Sequence, residues 1–207
     1  MKKNLKELVF ILDDSTSMYN QRKDTIDAFN SMIEKQKITG EECLVSLVLF
    51  SDKSDVVFDR IPIKDVQNIT VQEIDDNESF YGPTALLDAI GGAIHHIVNV
   101  HRYSRPKDVP EKTVFVINTD GKDNCSRRYT VDKVREMVRY EQERYGWTFL
   151  FLKADIDAVQ TRSLKEFFGS RAFEEFQRYG ICHSRILEML QELEDDNGRY
   201  GNRGFSI

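Results

Sequence analysis

Three short segments of the chain carry oxygen-bearing side chains that could bind a metal ion. They are Asp13-Asp14-Ser15-Thr16-Ser17, Tyr81-Gly82-Pro83-Thr84 and Asn118-Thr119-Asp120-Gly121. In the first segment, alternate residues can turn one carboxylate and two hydroxyls to the same side of a loop. Carboxylate and hydroxyl oxygens suit a hard divalent cation such as Mg²⁺ or Mn²⁺. The residue types therefore indicate an oxygen-ligated cation site.

Each segment also has an ordinary structural explanation. Ser and Asp favour turns and helix starts, Thr84 could cap a helix, and Asp120-Gly121 is a common turn pair. The three segments favour a ligand site only if they meet at one edge of a sheet. The candidate ligands are Asp13, Ser15, Ser17, Thr84 and Asp120.

The elements around these segments predict such a meeting. Four apolar runs without polar alternation are typical of central parallel strands. The four runs are Leu8–Leu12, Cys43–Phe50, Thr113–Asn118 and Trp147–Leu152. Asp55–Asp59 alternates like an antiparallel edge strand, residues 60–81 are predicted as a loop with a helical turn, and residues 172–176 as a short strand. Amphipathic patterns predict helices around Ile26–Ile33, Thr84–Val98, Val131–Tyr145, Ala158–Phe168 and His183–Leu193.

Strands that alternate with helices predict an α/β fold of three layers, α/β/α. The sheet is doubly wound and mostly parallel, with one antiparallel edge strand. Ligands bind such sheets at the carboxyl ends of the strands, where the three segments lie. We expect one domain over residues 1–196 and a flexible tail over the Gly-containing residues 197–207.

The pattern Asp13-x-Ser15-x-Ser17, followed by Thr84 and Asp120, resembles the metal-ion-dependent adhesion site of von Willebrand factor type A domains. The resemblance covers about Leu8–Leu193 and implies a Rossmann-like fold. It implies that the three hydroxyls touch the metal, whereas the two carboxylates act directly or through water. Residues 151–157 are similar to small stand-alone bacterial and phage domains of this type.

The resemblance implies a binding module without catalysis. One coordination position is left for an Asp or Glu of a protein partner, and the ion is expected to be Mg²⁺, with Mn²⁺ or Ca²⁺ as alternatives. Thr16 stands where the family usually has Gly. Asp14 stands where a neutral or basic residue is common, so it should add negative charge beside the site. Arg127 and Arg128 could form a basic rim that attracts an acidic partner.

Composition limits the remaining functions. The 207 residues carry 29 Lys and Arg against 35 Asp and Glu, a net charge of −6, which argues against a general nucleic-acid binder. Three Cys without a C-x-x-C pattern and no apolar run of about 20 residues indicate a cytoplasmic protein that is not membrane-bound. Two alternatives stay open. One is a metal-assisted hydrolase of phosphate esters with Asp14 as base, and the other is a scaffold without metal.

Overall fold

A central sheet of five strands organises the part of the chain that the computed structural model describes, residues 1–72, 82–119 and 123–153. Strands and long helices alternate along the chain, except that two strands, β2 and the antiparallel β3, follow one another before α2. The strands are β1 Lys2–Asp13, β2 Cys43–Phe50, β3 Ser54–Pro62, β4 Pro110–Thr119 and β5 Thr148–Lys153. The long helices are α1 Arg22–Ile38, α2 Leu86–Tyr103 and α3 Val131–Tyr145. Short 3₁₀ helices span Thr16–Gln21, Ile63–Asp65 and Pro106–Asp108.

The strand order is β3-β2-β1-β4-β5. β1 pairs in parallel with β2 and with β4, and β4 pairs in parallel with β5. Only β3 runs antiparallel, alongside β2 at one edge of this sheet. The predicted mixed sheet is confirmed. Because the chain continues from β1 to one side and later returns to the other, the carboxyl end of β1 lies where the strand order reverses, the usual ligand position in such folds.

Alternate residues of β1 face opposite helical layers. Leu8 and Phe10 belong to the core beneath α1, where Phe10 meets the ring of Phe29 edge-on at 5.0 Å between centroids. Val9 and Ile11 belong to the core beneath α2 and α3. A strand buried on both faces needs apolar side chains at every position, which explains its unbroken apolar sequence. The predicted three-layer architecture is confirmed.

Several strands and helices have different ends from those predicted. β1 begins at Lys2 rather than Leu8, and β4 begins at Pro110 rather than Thr113. Their charged amino-terminal residues still pair, because Lys6 is in register with Cys43 on one side and Lys112 on the other. Hydrophobic runs therefore mark only the buried part of each strand. No helix in the described ranges is long and apolar enough to cross a bilayer.

The edge strand β3 is longer and less regular than predicted. It continues past Asp59 to Pro62, and its pairing with β2 shifts register twice between Val45 and Val48. Arg60 adopts a positive φ of 54°, and its N–H donates to Ser46 Oγ at 3.0 Å. The Arg60 side chain is held by Glu7 of β1, with Nε 2.6 Å from Oε1. This ion pair and the backbone contact account for the irregular backbone.

Several predictions fall outside the described residues. They are the helices at 158–168 and 183–193, the strand at 172–176, the domain end at residue 196 and the tail at 197–207. In the predicted loop over residues 60–81, the described part contains the end of β3 and the 3₁₀ helix Ile63–Asp65.

Candidate metal centre

The D-x-S-x-S segment lies at the carboxyl end of β1. Asp13 is the last residue of the strand, and the Asp14 N–H donates to the Phe50 carbonyl at 2.8 Å. This bond extends the β1–β2 pairing past the strand and fixes where the loop begins. Asp13 and Ser15 are buried, whereas Ser17 is exposed. The segment therefore runs from the core to the surface at the position where α/β folds bind ligands.

Hydrogen bonds shape this loop so that its oxygens converge. Asp13 Oδ1 accepts the Ser15 N–H at 2.9 Å, and Asp13 Oδ2 accepts the Thr119 hydroxyl at 2.7 Å. Ser15 Oγ and Ser17 Oγ lie 3.1 Å apart, and we call these two oxygens the hydroxyl pair. The Asp13 carboxylate thus holds the backbone that presents the hydroxyl pair, and it ties β1 to the end of β4.

The Ser15 and Ser17 hydroxyls are hydrogen-bonded to one another, and their separation of 3.1 Å also matches that of two adjacent ligands of a magnesium ion. Octahedral Mg²⁺ binds oxygen at about 2.1 Å, which places adjacent ligand oxygens about 3.0 Å apart. An ionised Asp13 carboxylate donates no proton, so both of its oxygens are of the acceptor type that a hard cation prefers. The residues present therefore fit a hard cation held by Ser15 and Ser17, with Asp13 behind them.

Thr84 is held close to this loop by backbone contacts. The Thr16 N–H donates to the Gly82 carbonyl at 3.3 Å, and the Ala85 N–H donates to the Ser51 carbonyl at 2.7 Å. Thr84 itself is buried. The residue that caps α2 is Ala85, with no side-chain capping bond, so helix capping does not explain Thr84. The structure therefore brings the Thr84 loop beside the D-x-S-x-S loop.

The β4–α3 loop clamps the start of α2, which the sequence did not reveal. The Thr84 N–H donates to Asn124 Oδ1 at 2.8 Å, and the Asn124 N–H returns a bond to the Thr84 carbonyl at 3.0 Å. The Asp88 carboxylate accepts the backbone N–H groups of Arg127, Arg128 and Tyr129 at 2.8–3.0 Å. An Asp in the first turn of the helix that follows Thr84 is the signal that could have indicated this clamp.

The clamp also sets the charge state of Asp88. Burial alone would raise the pKa of this carboxyl, but the three N–H donors and the positive charge of Arg128 outweigh burial and lower its pKa. Asp88 therefore stays ionised at neutral pH. An ionised acceptor makes stronger bonds to the loop than a neutral one would.

The charge of Asp14 was expected to add to the negative charge beside the site, but in the structure Asp14 is paired with Arg22. Arg22 Nε lies 2.6 Å from Asp14 Oδ1, and Arg22 Nη2 donates to Asp14 Oδ2 at 2.7 Å. Both side chains are only 6% exposed. A buried carboxylate paired this closely with a guanidinium is compensated, so it contributes little net charge to the neighbouring loop.

Asp120, the fifth predicted ligand, lies outside the described residues; its neighbour Thr119 contacts Asp13. Within the described ranges, no group of three or more His, Cys, Asp or Glu could hold a metal. That finding is compatible with the predicted ligands, because Asp13 is the only carboxylate among the four that are described. The structure thus joins Asp13, Ser15 and Ser17 directly and places the loop of Thr84 next to them.

The two described cysteines, Cys43 and Cys125, have raised pKa values, which disfavours the reactive thiolate form. Burial raises the pKa of Cys43 to about 12. Burial, together with the charges of Asp123 and Asp52, also raises the pKa of Cys125 in the β4–α3 loop. Both thiols therefore stay protonated at neutral pH, which disfavours them as nucleophiles and as metal ligands.

Solved structures share this fold. The chain aligns with a structure described as von Willebrand factor type A from Catenulispora acidiphila at a TM-score of 0.54 and 14% identity, over 93% of this chain and 42% of that one. A second crystal form of proximal thread matrix protein 1 from the mussel byssus aligns at 0.51 and 14% identity, over 90% and 46%. The chain thus spans less than half the length of these two structures.

Two sequence comparisons give different results. A search of curated proteins finds no match. A comparison with family models does find one: the model of the von Willebrand factor type A domain matches residues 7–175, which is most of the chain. With the doubly wound sheet and the site at its carboxyl edge, the chain belongs to the von Willebrand factor type A domain family.

Proposed function

We propose that this chain is a Mg²⁺-dependent protein-binding module without catalytic activity. Domains of this family are commonly protein-interaction modules. The observation that carries the metal dependence is the hydroxyl pair, 3.1 Å apart, with Asp13 holding its loop from behind. The proposed ligands are Asp13, Ser15, Ser17, Thr84 and Asp120. Mn²⁺ and Ca²⁺ are alternative ions of the same ligand preference.

We assign different roles at this site to the residues that would bind the ion and to those that position them. Ser15, Ser17 and Thr84 offer hydroxyl oxygens to the ion, and Asp13 orients the Ser15 backbone through its 2.9 Å hydrogen bond. Arg22 holds the Asp14 carboxylate, so Asp14 does not repel an approaching acid and is not assigned as a base. When bound, the ion supplies an electrophilic centre for a carboxylate oxygen of the partner.

The expected partner is a protein that offers Asp or Glu. Arg127 and Arg128 are exposed on the loop that clamps α2, so their charges can attract an acidic surface. A cytoplasmic location belongs to the proposal, and the free thiols of Cys43 and Cys125 agree with it. Nucleic acid and membranes are not proposed as partners.

Metal titration tests the site. We expect Mg²⁺ to bind the full chain in isothermal titration calorimetry and Ser15→Ala to abolish binding, because one hydroxyl of the pair is removed. Ser31→Ala is the matched control, since Ser31 is exposed on α1 away from the loop. It should bind Mg²⁺ like the unmodified chain. Equal titration of Ser15→Ala and the unmodified chain would sink the proposed ligand set.

Partner capture tests the second half of the proposal. The immobilised chain is incubated with cell extract in Mg²⁺ and then washed with chelator. We expect the chelator to release proteins that Ser15→Ala beads do not retain and that Ser31→Ala beads do. An identical set of proteins on all beads, with or without chelator, would contradict metal-dependent binding.

A further inference from the structure

A cavity lies at the sheet edge opposite the candidate metal centre. Its volume is about 530 Å³, and it lies between the carboxyl-terminal ends of α2 and α3. Met1, Val109 and Trp147, which line it, directly precede β1, β4 and β5, so it opens at the amino-terminal edge of the sheet. Small-molecule pockets in proteins have volumes of about 300–1,000 Å³. The cavity, which we call the Trp147 cavity, is therefore large enough for a small ligand.

Aromatic side chains form much of its wall. Trp147 is buried and stacks on Phe115 at 5.4 Å between ring centroids, so its indole is fixed by the core. Tyr140 and Tyr145 are each 55% exposed and contact one another edge-on at 6.1 Å. A fixed indole and two accessible phenol rings suit a flat apolar body. Aromatic walls also attract organic cations through their ring faces.

A buried carboxylate oxygen that lacks a donor among the described residues is the second feature of this cavity. Glu141 lines it and is 5% exposed, and among the described residues no hydrogen-bond donor reaches its Oε2. Burial raises the pKa of Glu141, against the opposing effects of His101 and Arg102. A buried carboxylate oxygen that lacks a donor is costly, and a donor brought by a ligand would remove that cost.

His101 is already engaged and does not supply this donor. Its Nε2 lies 2.7 Å from Glu7 Oε2, and its ring meets Trp147 edge-on at 5.4 Å. Arg102 also lines the cavity, but it is exposed, so its charge is solvated at the rim. In the described part of the chain, the inner wall thus combines an apolar aromatic surface with a carboxylate oxygen that lacks a donor.

We propose that the Trp147 cavity binds a small aromatic amine, whose ring packs against Trp147 and whose ammonium group donates to the Glu141 carboxylate. A charge-assisted hydrogen bond to a carboxylate is about twice as strong as a neutral one, which favours an amine over an alcohol of the same shape. This site is independent of the metal centre, because it involves the opposite edge of the sheet and none of the proposed metal ligands.

The sequence makes this site easy to observe, because Trp147 is the only tryptophan of the chain. The probe is 2-phenylethylamine, which leaves tryptophan emission free for detection, and ethylbenzene is the neutral probe of similar shape. Titration of the full chain with 2-phenylethylamine should give a saturable change in Trp147 fluorescence. Ethylbenzene should bind at least about tenfold more weakly, since it lacks the charged donor.

Two variants on the same helix separate the proposed role from general effects. Glu141→Gln should weaken binding of 2-phenylethylamine by at least about tenfold, and Glu143→Gln, an exposed control, should leave it unchanged. Far-ultraviolet circular dichroism checks that both variants are folded. Binding should be the same in Mg²⁺ and in chelator. No saturable change with the unmodified chain, equal affinity for ethylbenzene, or unaltered binding by folded Glu141→Gln would each overturn the proposal.

Discussion

Arg22 determines what Asp14 does at the edge of the candidate metal centre. In the sequence, Asp14 reads as an extra negative charge between two proposed ligands. In the structure it is bound by Arg22, which stands eight positions later at the first turn of α1. The residues between them include a 3₁₀ helix over Thr16–Gln21, which turns the chain so that the Arg22 side chain reaches Asp14. The pairing depends on that local geometry, so residue types alone did not indicate it.

Removing Arg22 tests this pairing. Arg22→Met removes the guanidinium that pairs with the buried Asp14 carboxylate, and we expect the free energy of unfolding to fall by about 3–5 kcal/mol. Urea denaturation measures the change. Arg105→Met is the control, because Arg105 pairs with Asp108 at the surface and its loss should change stability little. Adding Asp14→Asn to Arg22→Met should restore part of the loss. Full stability of Arg22→Met alone would contradict the assigned role.

The candidate ligands were easier to recognise in the sequence than the residues that position them. Asp13, Ser15 and Ser17 were proposed from their spacing, and Thr84 from its place before a helix; whether they bind a metal stays a prediction. Thr119, Asn124 and Asp88 were missed, because each acts through a hydrogen bond to a distant part of the chain. A ligand is recognised by its own chemistry, whereas a positioning residue is recognised only by what it touches.

At the level of elements, two consecutive glycines of α2 have different surroundings, and only one of them faces the loop that leads into α3. A Cβ atom placed on Gly91 would lie 2.4 Å from the ring of Tyr129, whereas one on Gly92 would meet nothing within 4 Å. Tyr129 belongs to the loop that Asp88 clamps. Gly91 therefore permits the close approach of this loop to the helix, and Gly92 does not contribute to it.

This contrast gives a paired prediction. Gly91→Ala should lower the free energy of unfolding by about 1–3 kcal/mol, because the Tyr129 ring must shift and carry the clamped loop with it. Gly92→Ala should raise it by up to about 1 kcal/mol, because alanine is the better helix former. Thermal or urea unfolding of both variants measures the difference. Equal effects of the two substitutions would show that Tyr129 does not pack closely on Gly91.

The elements themselves were largely predicted, but their ends were not. Mainly apolar runs identified the buried parts of β1, β2 and β4, since a strand covered on both faces carries few polar side chains. The pattern failed over Lys2–Lys6, where most side chains are exposed, so no apolar run marks this part of the strand. It also failed at Thr84, where the backbone is held by loop contacts and α2 begins only at Leu86.

For the molecule as a whole, Glu7 joins elements that are far apart in the sequence. This residue of β1 is fully buried and binds Arg60 of β3, His101 of α2 and Thr113 of β4. The sequence predicted the order of elements and the mixed sheet. This cluster was not predicted, because the partners of Glu7 lie 53 to 106 positions away from it along the chain. Glu7 itself lies just before the apolar run that marked the strand.

Neutralising Glu7 tests how much this cluster stabilises the fold. Glu7→Gln keeps the size of the side chain but leaves Arg60 beside a neutral amide, so we expect the free energy of unfolding to fall by about 3 kcal/mol. Glu42→Gln is the control, because Glu42 forms an exposed pair with Lys2. Urea midpoints measure both variants. If the two variants unfold at the same urea concentration, the buried cluster is not a major source of stability.

The irregular β3 has a consequence for behaviour at high concentration. An edge strand offers unpaired backbone groups to other chains and can seed aggregation. Val56 and Val57 are exposed on β3, and apolar side chains on an edge strand favour such pairing between molecules. The register shifts, the left-handed backbone of Arg60 and the terminal Pro62 break the straight ladder that an incoming strand would need. The irregular backbone around Arg60 therefore also makes pairing of β3 with a strand of another molecule less favourable.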